Sequence, residues 1–493
     1  MMGRVTDEQH GVVFPRGADG RRSTAAVGRA VVADALRGVD PAGARAAEQE
    51  TNWRTGYLVH FRRLVEAGLD DRDDAVGIAR DGLAGLHERM VVRAGGEDVP
   101  LAGWAGTEPD TTFGTAEVAG HADPERELTL PFHGERLAGD DLERRLDAWV
   151  AAGVVEPSVG EAVRTVMKNP DWLRLDGHTV AVLGAGAEMG PLTALLRWGA
   201  RVAAVDLPRE PVWQRVLDTA RVSAGTLVLP TRDGGADAHP AHAGADLLAE
   251  VPATAQWLAQ VAGERLVIGN YVYADGATNV RVSMAVDALS GELVEQRPGT
   301  ALAFLATPTD VFAVPADAVR QSVGGYESRS RAAKVLGRPL RAVSAGRLLR
   351  RSYAPGADPG VNDSLVPQQG PNYALAKRLQ RWRAVAARAD GTLVSMNVAP
   401  PTRTRSVVKN RALAAAYAGA HRFGVEVFEP ATSNVLMAAL LVHDLHTDGG
   451  PRHDHPWEDE AYAAAHGGLW RAPYAPRSAL GLAALLGYGA ARS

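Results

Sequence analysis

The 493-residue chain contains no cysteine. Disulfides, thiolate nucleophiles and cysteine metal ligands are therefore excluded, and a reducing, cytoplasmic setting is the expectation. Lysine is scarce too: Lys168, Lys334, Lys377 and Lys409 stand against 49 arginines. The formal net charge of -5 is small for this length and argues against a general nucleic-acid or membrane-surface binder. The most apolar stretches, such as NVLMAALLV at 434–442, are far too short to span a bilayer. No apolar run follows the early charges of the first 22 residues, so no secretory signal is expected. No repeat of fixed period is found.

What is present falls into two parts. Over 23–39, 55–69, 72–92, 140–155 and 157–169, apolar residues recur three and four apart. Residues 1–170 are thus expected to form a mostly helical accessory domain that shapes a site built elsewhere, with Asp140 and Ser158 as N-caps. A Gly/Asp/Thr/Pro-rich segment lies within it at 94–124. From residue 176 the pattern changes. TVAVLG runs into a glycine turn and an amphipathic helix, and RVAAVDL follows, ending in Asp206, which is the signature of a βαβ unit. Further strands are expected at 225–230, 265–273, 300–312 and 391–401, with helices at 244–262 and, last, 431–446. The predicted class is α/β, a doubly wound parallel sheet of Rossmann-like type over 171–446. An insertion is expected near 313–365, and 447–493 reads as a C-terminal extension.

The turn GAGAEMG comprises Gly184, Ala185, Gly186, Ala187, Glu188, Met189 and Gly190. Backbone N–H groups at such a turn, ahead of a helix, favour a phosphate. Gly184 permits the tight turn, Gly186 lets the backbone approach a pyrophosphate, and Gly190 allows helix and strand to pack closely. Asp206, with Leu207 beside it, lies 22 residues beyond Gly184, where an acid accepts hydrogen bonds from the adenosine ribose and repels a 2′-phosphate. NAD is favoured on this ground, and Arg209 keeps NADP open.

One Tyr-x-x-x-Lys pair occurs, Tyr373 and Lys377, where chance predicts about 0.08. Residues i and i+4 share a helix face, so phenol and ammonium can point into one cleft. A free phenol, with a pKa of about 10, is a weak acid–base catalyst at neutral pH, and an adjacent ammonium draws it downward. The competing reading is an amphipathic helix with Tyr373 half buried and Lys377 solvated.

Together these residues resemble the short-chain dehydrogenases/reductases over roughly 177–446. The seven-position turn is similar to that family's Gly-x-x-x-Gly-x-Gly, with Glu188 in place of the middle glycine and Met189 in an apolar slot. Tyr373 and Lys377 stand on the helix expected after the fifth strand, and Pro400 and Pro401 end the strand that follows. The resemblance implies hydride transfer between NAD(H) and a carbonyl or alcohol of a small molecule. In it Tyr373 is the acid–base group, and Lys377 holds the nicotinamide ribose and tunes the phenol. Thr307, at the end of the fifth strand, holds the substrate oxygen, with Ser364 as its rival. Asn270 ends the fourth strand near the cofactor, and Pro400 lies against the nicotinamide. A homo-oligomer is compatible with this reading.

Other readings remain open. GAEMGPLTALLRWGARVAAVDL also resembles the first motif of S-adenosylmethionine-dependent methyltransferases, with GNYVYAD in the place of their later Asn-aromatic motif. An epimerase or dehydratase would use the same tyrosine, and a non-catalytic nucleotide sensor could share the fold. His443, His446, His453 and His455 lack the spacing of a known zinc site and read as a polar helix end and a solvated loop, so no metal is expected. RTRSVVKNR, 403–411, reads as a solvated or cofactor-phosphate-facing segment.

Overall fold

Six strands in this chain are apolar along nearly their whole length, which is how strands buried on both faces read. In the computed structural model, which describes residues 10–329 and 347–489 together with 339, 342, 344 and 345, they form one parallel sheet. With an upstream edge strand counted first, the strands are β1 (Gly114–Ala119), β2 (His178–Leu183), β3 (Arg201–Val205), β4 (Thr226–Thr231), β5 (Arg265–Asn270), β6 (Ala301–Ala306) and β7 (Val394–Val398). Their spatial order is β7-β6-β5-β2-β3-β4-β1, and only β1 runs antiparallel, against β4. The chain turns back between β2 and β5, so a crevice opens where their C-terminal ends diverge.

Side chains alternate across the sheet with period two. Ala181, Leu183, Ala203, Val205, Ile268 and Phe304 face one core. Val180, Val182, Val202, Ala204 and Val267 face the other. The first core is closed by helices α1 (Thr24–Arg37), α2 (Trp53–Glu66), α3 (Arg72–Arg89), α4 (Ala277–Gln296) and α5 (Pro371–Ala389). Helices Gly139–Ala152, Pro157–Lys168, Leu192–Trp198, Glu210–Arg221 and α6 (Pro430–His446) close the second. Packing of α3 on α5 is tight enough that a Cβ on Gly82 would lie 2.5 Å from the Trp382 ring.

The α/β class expected from the βαβ pattern is found, in a mixed sheet of seven strands. Several finer expectations are corrected. The boundary near residue 170 does not divide the sheet, because β1 lies upstream of it. The leading segment, expected to be mostly helical, also holds strands Gly11–Val13, Val91–Ala94 and Glu97–Pro100 beside its helices. Ala138 and Glu156 occupy the N-cap positions expected for Asp140 and Ser158, neither with a side-chain cap. Ser158 instead accepts a hydrogen bond from the Ala463 N–H at 2.9 Å. The apolar run at 300–312 breaks at Thr307, and its second part, Val311–Val314, pairs antiparallel with Gly360–Asp363 in the expected insertion. Part of that insertion lies outside the described residues. The run at 265–273 stops being strand at Asn270, and two helices, Pro456–Ala461 and Pro476–Gly487, follow α6. Among the described residues, no helix is long and apolar enough to cross a membrane.

Candidate functional site

The glycine turn leaves β2 with Gly184 at φ +88°, a conformation that favours glycine. A Cβ there would also press on the Tyr271 carbonyl at 3.0 Å. The turn is held mostly by its own bonds. Gly184 and Ala185 N–H donate to the Val205 carbonyl, Ala187 N–H to Gly184, and Gly190 N–H to Ala187. Gly186 N–H donates to Asp206 Oδ2 at 2.8 Å, and Leu207 N–H to Oδ1 at 2.7 Å. Burial raises the Asp206 carboxyl above its ordinary value, against those two bonds. Glu188, the residue that departs from the glycine pattern, pairs with Arg405 at 3.0 Å and accepts its backbone N–H at 2.8 Å. The segment after β7 is thereby strapped across the turn.

Tyr271 is buried beside the turn, and with Met189, Leu305 and Asn397 it lines a cavity of about 10 Å³ on the side of β6, β7 and α6. Asp206 has both oxygens on backbone donors, and most of the turn's N–H groups are already bonded. The residues that would hold a dinucleotide stand together at the C-terminal ends of β2 and β3.

The face of α5 that carries Tyr373 meets the C-terminal ends of β5 and β6. Tyr373 is half-buried, lies next to Thr307, and is edge-on to the Tyr273 ring at 6.3 Å between centroids. Thr307 continues to Thr309 at 2.9 Å, and Thr309 accepts from Gln369 Nε2 at 2.6 Å. Lys377, one turn along, donates to the Leu305 carbonyl at 3.4 Å and to Gln380 Oε1 at 3.0 Å. Gln380 in turn donates to the buried Asn270 at 3.2 Å. Positions 373, 377 and 380 thus form one polar stripe over the sheet end.

The stripe differs from the expected tuning in one respect. Burial raises the Tyr373 phenol above its ordinary value, Thr307 opposes this, and the charge of Asp310 adds to it. Lys377 does not draw it down, because its ammonium is turned to Leu305 and Gln380 and is itself lowered by burial to about 8. Against an ordinary lysine at 10.5, the unfolded chain holds more protons through that window, so stability rises with pH there. Urea midpoints taken from about pH 8 to 10 should climb in the native protein and climb less in Lys377→Met. Parallel slopes would place the ammonium in water.

Ser364 is not brought to Tyr373. Its side chain is buried and donates to Asn362 Oδ1 at 2.5 Å, while Asn362 also serves Tyr353 and Leu469. The Pro400 carbonyl accepts from the Thr402 hydroxyl at 2.9 Å at the root of the strap. Of the histidines, His443 bonds Asp444, His446 stacks on Trp172, and His453 pairs with Asp459. His455 caps Pro456–Ala461 and reaches the Gly68 carbonyl, so that loop is packed rather than solvated.

Sequence reasoning missed the acid beneath this helix. Asp310, 1% exposed, pairs with Arg378 at 2.7 Å and Arg381 at 2.8 Å, and Arg381 also grips Glu460 at 2.6 Å. Burial alone would raise Asp310, but the two guanidiniums hold it below the usual carboxylate range. The available signal was two arginines placed among the apolar positions of α5. They needed a buried acid.

No family model matches the chain, and no curated protein matches it. Among solved structures it is similar to a short chain dehydrogenase/reductase family oxidoreductase from Burkholderia thailandensis, at 14% identity and a TM-score of 0.33, over 59% of this chain and 92% of that one. It is also similar to a candidate NAD(P) dependent gluconate 5-dehydrogenase from Beutenbergia cavernae with NADP bound at low occupancy. The identity there is 15% and the TM-score 0.32, over 60% of this chain and 98% of that one. Likeness at this level carries no argument about the present chain, whose architecture stands on its own strand order and side chains.

Proposed function

We propose that the chain is an oxidoreductase that reduces a carbonyl of a small molecule, with Tyr373 as the proton donor. The observation that carries this reading is the placement of Tyr373 next to Thr307 at the end of β6, beside the Lys377 stripe. A phenol raised above its ordinary value keeps its proton at neutral pH, so it serves as an acid toward an oxygen gaining negative charge. Thr307, with Thr309 behind it, would orient that oxygen and share the proton. Lys377 and Gln380 would present a polar edge to whatever group lies over β5.

An NAD-type dinucleotide is the hydride source of this reading, and the order of the six parallel strands supports it. Its pyrophosphate would compete with Asp206 for the Gly186 N–H. Calorimetry on the purified protein with NAD(H), NADP(H) and S-adenosylmethionine tests the reading. Saturable NAD(H) binding, weakened at least about tenfold in Asp206→Ala, is expected. Binding of S-adenosylmethionine alone, or of none of the three, would overturn it.

A further inference from the structure

Away from the sheet end, a partly open pocket of about 180 Å³ lies where α2, the strand Gly360–Asp363 and the start of Pro476–Gly487 meet. A single water needs only about 10–15 Å³. Four arginines line it, Arg62, Arg350, Arg351 and Arg477, with one acid, Asp363. Three of the arginines have acidic partners. Arg62 pairs with Glu66 at 2.7 Å and lies 3.8 Å from Asp363, Arg351 pairs with Glu327 at 3.3 Å, and Arg477 with Asp363. Arg350 is exposed and makes no ion pair with any described residue.

Asp363 supplies a second, independent observation. Its side chain is 8% exposed, and while Oδ2 meets Arg477, Oδ1 is buried with no hydrogen-bond partner. Burial raises this carboxyl, and the adjacent Arg477 and Arg62 guanidiniums oppose it. The sequence adds a third. Residues 328–357 carry eight arginines and lysines and no acid, in a chain that is acidic overall. Arg350 is thus the one arginine of this lining without an ion pair among the described residues, and an anion would neutralise it. Planar guanidinium forks suit the paired oxygens of a phosphate.

We propose that this cavity binds the phosphate group of a phosphorylated small molecule, held by Arg350 and Arg62 with Asp363 at its floor. It shares no lining residue with the cavity beside Tyr271, and the assignment does not depend on the chemistry of Tyr373.

Inorganic phosphate is the first probe, titrated calorimetrically into the full chain at constant ionic strength, with chloride and acetate as comparators. Saturable one-site binding is expected, at least about tenfold weaker in Arg350→Gln and in Arg62→Gln. Arg350 is exposed, so its variant should keep the native melting profile. Heats that chloride reproduces would overturn the assignment, as would phosphate binding unchanged in both variants. A phosphate monoester that binds more tightly than the free ion at the same site would show that the cavity reads the organic part as well.

Discussion

Replacing Asp310 by asparagine should destabilise the fold by about 3–5 kcal/mol, the range seen when one partner of a buried ion pair is removed. The carboxylate is 1% exposed and accepts from two guanidiniums on consecutive turns of α5. Arg381 would keep Glu460 and the Val311 carbonyl. Arg378 would keep nothing comparable, since its Nε already lacks a partner and burial has lowered it to about 10. The loss therefore falls on Arg378. Denaturant unfolding should show a lower midpoint with an unchanged slope. Arg378→Met in the Asp310→Asn background should recover part of the loss, because it removes the stranded charge. A midpoint shift worth less than about 1 kcal/mol would mean that water reaches the pair.

Tyr373→Phe should lower carbonyl reduction by about 10²–10⁴-fold, the usual share of a positioned proton donor. The ring and its edge contact with Tyr273 remain, and only the hydroxyl next to Thr307 is lost. Nucleotide affinity and melting temperature should stay as in the native protein. Loss of the chemical step with both of these intact marks the phenol as the donor. A variant that reduces substrate at the native rate would leave Tyr373 as a packing residue of α5.

The parts legible in the sequence are those that depend on neighbours along the chain. Continuous apolar runs marked the parallel strands, and a four-residue spacing put Tyr373 and Lys377 on one face of α5. Thr307 was found because it directly follows a strand. What escaped was decided at long range. Asp310 looks like a turn residue until Arg378 and Arg381, 68 and 71 positions later, are packed on it. Glu188 departs from a glycine pattern for a reason 217 residues away, at Arg405. β1 was hidden in a Gly/Thr/Asp-rich stretch because a strand paired at the edge needs few apolar side chains. The tuning of Tyr373 was misjudged because shared helix face fixes direction, not which partner an ammonium chooses.

The edge strand also bears on how the chain can be divided. A fragment beginning near residue 171 would carry every residue assigned to the reaction, yet it would leave β4 without its neighbour. Trp257 Nε1 would lose Thr115 at 3.0 Å, and Arg201 would lose Glu117 at 2.6 Å. The bare backbone of β4 would then offer itself to another copy of the fragment. The leading segment is thus the guard of the sheet's flank, and a chain shortened to residues 171–493 would carry an open sheet edge prone to self-association.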